Sequence, residues 1–167
     1  MLLETKETAS ISMDALLANW LGHRNLTRKT IYAFPETQFF TYSIGGMRTF
    51  AQMVQEIMIL TEEGMTGILS GKWNSIEGSS EMTELFEKKS KTAILKKWDE
   101  ITDHINNIWP QLETENFMKV DKAFGAYENT NLGTIQYAYD NEIHHRGQGF
   151  VYLRSLGIEP PFFWDRF

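Results

Sequence analysis

DNEIHHRGQ, the sequence of residues 140–148, lies within a longer run from Asn131 to Leu156 whose pattern predicts a single helix. On a helix of about 3.6 residues per turn, Asn141 and His145 are one turn apart and share a face with Gln148. Two polar side chains in this arrangement could supply two ligands to a metal ion. Alternatively, hydrogen bonds within a helix bundle satisfy them, because buried polar groups are usually paired whether or not they do chemistry.

Three further helical patterns precede this one. Ser12 is a suitable N-cap for a first helix that Pro35 ends, and a second helix is predicted to begin near Arg48. A third helical region covers residues 81–109, with a break near Lys89–Ser90. Four long helical patterns without a convincing sheet predict an all-α protein, a four-helix bundle.

The remaining segments carry weaker signals. Residues 111–129 are irregular or strand-like, with Phe117–Val120 as a candidate extended piece, and residues 1–10 are expected to be loose. There is no repeat, low-complexity block or linker that would indicate a second domain. Residues 1–167 are therefore predicted to form one domain.

Composition limits the classes of function. The formal net charge is −6, whereas a protein that binds nucleic acid needs a basic face to neutralise phosphates. The absence of cysteine excludes disulfides, zinc–thiolate sites and cysteine nucleophiles. Neither a signal peptide nor an apolar stretch of about 18 residues is present. We therefore expect a soluble cytoplasmic protein that binds neither nucleic acid nor a membrane.

The second helix carries a carboxylate inside its apolar series, where Glu56 follows Met53 and Val54. A buried carboxylate is costly unless it is paired, protonated or bound to a cation. The side chain could also extend to the surface of the bundle. Because bundle cores commonly hold sites built from facing helices, Glu56, Asn141 and His145 form a testable group.

Other residues have structural interpretations. Glu142 and Arg146 are one turn apart and are expected to pair with each other or across the bundle. Gly147 is expected to let another helix approach closely. His23, on the first helix among polar neighbours, is expected to form a surface or interhelical hydrogen bond rather than to bind a metal.

The residues from Asn141 to Gln148, followed by Tyr152–Gly157 and then Pro160-Pro161, resemble the closing signature of the DinB/YfiT-like family. Gly46–Phe50, at the start of the second helix, resembles the family's pattern at the same place. The resemblance covers most of the chain. It implies a four-helix bundle, a homodimer and a divalent metal held by three histidines. It also implies enzymatic activity, since members with known activity include thiol-dependent transferases.

This sequence departs from the family pattern at the implied metal ligands. The matching positions hold Glu56, Asn141 and His145, so that one of the three histidines is retained. Gln55 adjoins Glu56 and is an inert alternative for the position on the second helix. His144 should point elsewhere, because a step of one residue turns by about 100° around a helix.

A Glu–Asn–His set offers a carboxylate oxygen, an amide oxygen and an imidazole nitrogen. These donors can hold nickel, zinc or manganese, with lower affinity than three histidines because an amide oxygen is a weak ligand for such ions. The alternative is a metal-free network in which Glu56 accepts a proton from His145 and Asn141 bridges them. Two functions therefore stay open: a metal-dependent transferase or hydrolase, or a metal-free protein that binds a small molecule or another protein.

Overall fold

The computed structural model describes residues 11–167, and the expectation that residues 1–10 are loose lies outside this range. Four long helices form the bundle: α1 (Met13–Ala33), α3 (Phe50–Ser70), α5 (Lys91–Ile108) and α7 (Asn131–Ser155). Shorter elements connect them: α2 (Glu36–Thr41), α4 (Ser80–Glu87), a 3-10 turn (Trp109–Gln111), α6 (Thr114–Met118), β1 (Val120–Ala123) and β2 (Tyr127–Thr130). Both α5 and α7 pack against α1 and α3. The prediction of an all-α four-helix bundle is confirmed.

Local signals set the starts of the long helices. Each has a serine or threonine N-cap whose side-chain oxygen accepts a backbone N–H of the first turn: Ser12, Thr49, Ser90 and Thr130. Thr49 also forms a reciprocal capping box with Gln52, which places the start of α3 at Phe50 rather than near Arg48. Gly71, in the left-handed conformation, ends α3.

The third helical region divides where a break was predicted. Residues 88–90 separate α4 from α5, and Lys89 has a φ of 49° between them. The segment that follows α5 differs more from the prediction. Phe117, expected in an extended piece, has a buried side chain in α6, and the strand begins at Val120. The sequence pattern did not indicate the antiparallel hairpin of β1 and β2, in which Val120 lies opposite Thr130.

Two apolar clusters fill the bundle. In one of them, the rings of Phe34 and Phe50 are stacked with their centroids 4.6 Å apart. Gly149 on α7 lies against this cluster, and a Cβ at its position would be 2.5 Å from the Phe50 ring. A Cβ at Gly147 would meet nothing within 4 Å. The expectation that Gly147 allows close packing was therefore wrong, and Gly149 has that role.

A buried polar network joins α7 to α1. Thr27 Oγ1 donates to Glu142 Oε1 at 2.6 Å, and Arg24 Nη1 lies 3.6 Å from Glu142 Oε2. Burial raises the pKa of the Glu142 carboxyl, although the positive charge of Arg24 opposes the rise. Arg146 Nη2 donates to His23 Nδ1 at 2.8 Å, so the predicted hydrogen bond of His23 is interhelical and buried. Burial and then the charge of Arg146 lower the pKa of His23 to about 4.

None of the helices within residues 11–167 is both long enough and apolar enough to cross a membrane.

Candidate functional site

Glu56, Asn141 and His145 come together between α3 and α7. Asn141 Nδ2 donates to Glu56 Oε1 at 2.8 Å, and His145 Nε2 lies 3.2 Å from the same oxygen. One turn of α7 separates Asn141 from His145, and Glu56 faces both from α3. Gln55 instead lines a surface depression between α3 and α4, and His144 is exposed to solvent. The residue of the second long helix that reaches the cluster is therefore Glu56.

Arg48 also belongs to this cluster, although the sequence did not single it out as a site residue. Its Nη1 donates to Glu56 Oε2, and its Nη2 lies 3.4 Å from His145 Nε2. Tyr152 Oη donates to the Arg48 carbonyl at 2.8 Å, which anchors the backbone from which the guanidinium extends. Because Arg48 precedes the helix N-cap, helical spacing could not place it beside Glu56. Its position in the family-like segment was the one available signal.

Glu56 is held as a carboxylate. Partial burial opposes its charge, but hydrogen bonds from Arg48, Asn141 and His145 outweigh that effect and lower the pKa of the carboxyl below its ordinary value. The side chain of Glu56 is 31% exposed, whereas that of His145 is 8% exposed. The cluster thus combines a negative group near solvent with an imidazole that is almost completely enclosed.

Gln148 orients the imidazole ring of His145. His145 Nδ1 lies 2.7 Å from Gln148 Oε1, so a neutral imidazole carries its hydrogen on Nδ1 and donates it to the amide oxygen. Nε2 faces Glu56 and Arg48, and it donates to the Glu56 carboxylate when it carries a hydrogen. Metal-ligating histidines have the same arrangement, in which an outer hydrogen bond on one ring nitrogen orients the other. A doubly protonated ring would instead donate from Nε2 to Glu56.

The cluster contains donor atoms of three kinds that divalent metal ions accept. Asn141 Oδ1 is buried and has no hydrogen-bond partner among residues 11–167. A half-turn of the amide would direct this oxygen, in place of Nδ2, toward Glu56 and His145. A carboxylate oxygen, an amide oxygen and an imidazole nitrogen would then be neighbours. In the described part of the chain no three His, Cys, Asp or Glu side chains come together to hold a metal, so a third protein ligand beside Glu56 and His145 would have to be of another type, such as the Asn141 amide.

The family model of the DinB family matches residues 4–165. The chain belongs to the DinB family. It is 24% identical over 154 residues to the uncharacterized protein YjoA of Bacillus subtilis (strain 168), a match that covers 92% of this chain and 97% of YjoA. The crystal structure of YjoA, a DinB-like protein, matches with a TM-score of 0.67 and covers 91% of this chain and 99% of its own. A DinB-like protein from Bacillus cereus ATCC 10987 gives a TM-score of 0.72 at 16% identity, over 91% of this chain and 97% of its own.

These matches confirm the family resemblance and the DinB bundle. Within that bundle, the chain places Glu56 and Asn141 at two positions where the resemblance implies histidines. Arg48 adds a positive charge at the same place. The Glu56–Asn141–His145 cluster with Arg48 could therefore act chemically in two ways. Its oxygen and nitrogen donors can coordinate a cation, or its guanidinium, carboxylate and imidazole can bind polar groups of a ligand directly.

Proposed function

We propose that this DinB-family protein is a divalent-metal-dependent enzyme whose nickel, zinc or manganese ion is held by Glu56, Asn141 and His145. The observation that supports this proposal is the position of His145 Nε2 beside Glu56. This nitrogen is oriented by the Nδ1–Gln148 hydrogen bond and faces a carboxylate and an amide whose oxygen is unpaired. When bound, a metal would lower the pKa of a coordinated thiol or water and so supply a nucleophile near neutral pH. A thiol-dependent transferase or a hydrolase is the corresponding class of enzyme.

The residues of the chain have separate roles in this proposal. Gln148 holds the imidazole ring of His145 in one orientation. Arg48, whose side chain is 47% exposed, can turn its guanidinium to an anionic group of a substrate once Glu56 is engaged elsewhere. If Glu56 is not a ligand, its carboxylate is a candidate general base.

The test of this proposal is elemental analysis of the purified, untagged protein and its variants. We expect near-stoichiometric nickel, zinc or manganese in the wild type, and loss of that metal in Glu56→Ala and in His145→Ala. His144→Ala is the matched control, because it removes an adjacent but exposed imidazole and should retain the metal. A wild-type protein without metal, even after incubation with an excess of divalent ions, would overturn the proposal.

A second function has its own support in the Arg48–Glu56 ion pair. With Arg48 on one oxygen of Glu56 and with Asn141 and His145 at the other, the carboxylate is satisfied without a metal. The corresponding function is a metal-free module that binds a small molecule or another protein. It requires that the wild type contain no metal and that Glu56→Ala lower the free energy of unfolding, because the partners of the carboxylate lose their acceptor.

We also propose that the protein is a homodimer, as the family resemblance implies. Support comes from the end of the chain, where large aromatic side chains stay exposed: Phe162, Phe163, Trp164 and Phe167. Light scattering coupled to size-exclusion chromatography measures the mass directly. A monomer mass would contradict this proposal without affecting the proposed site.

A further inference from the structure

A cavity of about 470 Å³ lies between α3, α7 and the β1–β2 hairpin. Leu60 of α3 and Tyr137 of α7 form part of its wall. The hairpin segment contributes Phe124 and Tyr127, and Ile76 comes from the segment between α3 and α4. Three stretches of the chain, around residues 60, 76 and 123–137, therefore enclose one space of the size that small-molecule sites usually have, about 300–1,000 Å³.

The cavity continues the helix faces that carry the candidate site. Leu60 follows Glu56 by four residues on α3, and Tyr137 precedes Asn141 by four residues on α7. Positions four residues apart share a helix face, and each residue rises by about 1.5 Å along the axis. Leu60 and Tyr137 are therefore each displaced by about 6 Å along the helix axis from Glu56 and Asn141, respectively.

The lining is apolar and aromatic, with a few neutral polar groups. Ile76, Tyr127 and Tyr137 are 44%, 58% and 60% exposed. A ligand that covers large side chains of this kind removes apolar surface from water, which favours binding. Neutral donors and acceptors come from the tyrosine hydroxyls and from Asn129 and Thr134. These groups favour an uncharged ligand with an aromatic ring, because aromatic rings pack edge-to-face or offset against tyrosine and phenylalanine.

The charged side chains around the cavity also favour an uncharged ligand. Among the described lining residues, Glu128 is the one with a charged side chain, and it stands directly opposite Lys122 in the hairpin. Lys122, its cross-strand neighbour, makes the electrostatic potential near Glu128 less negative. A charged ligand would therefore give up its hydration without gaining an unshared partner, which is unfavourable in an apolar space.

We propose that this cavity binds the uncharged aromatic part of an organic molecule whose polar end extends toward the Glu56–Asn141–His145 cluster. The direction of the polar end rests on the proposed function, whereas occupation of the cavity requires no metal. The cavity would thus select the body of the substrate, and the cluster would act on its polar end.

The test uses three probes of nearly equal size on protein freed of metal by a chelator: benzyl alcohol, benzoate and benzylamine. Amide chemical shifts are followed by two-dimensional NMR. We expect benzyl alcohol to bind with a dissociation constant near 1 mM, as suits a fragment of so few atoms, and to shift amides around Leu60, Phe124 and Tyr137. Benzoate and benzylamine should bind at least about tenfold more weakly because their charges are desolvated without a partner.

Two variants locate the binding. Ala126→Phe adds a ring at an exposed lining position and should abolish binding by filling the cavity, whereas Ala18→Phe adds the same ring to an exposed position of α1 and should leave binding unchanged. Equal affinity for the three probes, unchanged binding by Ala126→Phe, or no binding of benzyl alcohol would each overturn the proposal. Because the protein is free of metal throughout, these results are independent of whether the proposed metal site exists.

Discussion

Replacement of Arg48 by glutamine is expected to tighten metal binding at the Glu56–Asn141–His145 cluster. The guanidinium donates to Glu56 Oε2 and lies 3.4 Å from His145 Nε2. A divalent ion between these two side chains is therefore repelled by a nearby unit charge and must compete with that charge for the carboxylate. Glutamine removes the charge and keeps a polar side chain of similar reach.

The magnitude follows from Coulomb's law. At about 4 Å, two unit charges interact by roughly 1 kcal/mol in water and roughly 4 kcal/mol at an effective dielectric constant of about 20. The Arg48 side chain is 47% exposed, which places the repulsion near the aqueous value. For a divalent ion the repulsion is twice that of a unit charge, about 2 kcal/mol, which corresponds to roughly a 30-fold change in the dissociation constant.

The assay is competition for nickel, zinc or manganese between the protein and a chelating indicator at constant ionic strength. Arg28→Gln is the matched control, because Arg28 is 40% exposed and pairs with Asp99 between α1 and α5. It removes the same charge away from the cluster and should change the affinity little. Equal increases in metal affinity in the two variants would refute the inference that Arg48 competes with the metal ion for Glu56. Absence of binding in the wild type and both variants would refute the metal site itself.

Three further predictions concern stability. His23 has a pKa of about 4 in the folded protein against 6.5 ordinarily, so the unfolded chain binds its proton first as the pH falls. The free energy of unfolding should therefore decrease between about pH 6.5 and pH 4, by roughly 3 kcal/mol in total. In urea titrations, His23→Asn, whose amide oxygen can accept from Arg146, should flatten this slope, and an unchanged slope would contradict the assignment. Gly147→Ala should raise the free energy of unfolding by about 0.5–1 kcal/mol through helix propensity. Gly149→Ala should lower the free energy of unfolding by roughly 1–3 kcal/mol because the new Cβ meets the Phe50 ring. If the two variants changed the free energy of unfolding equally, the Phe50 ring would have to move aside without cost, which would contradict this prediction.

The four long helices could be predicted to within a few residues because the signals are local. Ser12 and Thr130 accept hydrogen bonds from backbone N–H groups three residues onward, so the cap and its partner are contiguous in the sequence. The break near Lys89–Ser90 was also evident from the sequence. The short β1–β2 hairpin was not, since two short strands are marginal by themselves and these lie against α7.

The sequence by itself determined that Asn141 and His145 share a face of one helix, because the period of the helix sets that relation. Tertiary structure decided what meets that face. Glu56 approaches that face from α3, and the Arg48 side chain contacts Glu56. Arg48 precedes the N-cap of α3, so helical periodicity cannot predict the direction of its side chain. Gly149 likewise contacts Phe50 through helix–helix packing that its own neighbours do not specify. Short-range spacing thus supplied one side of the site, and contacts between residues about 90 positions apart in the chain supplied the rest.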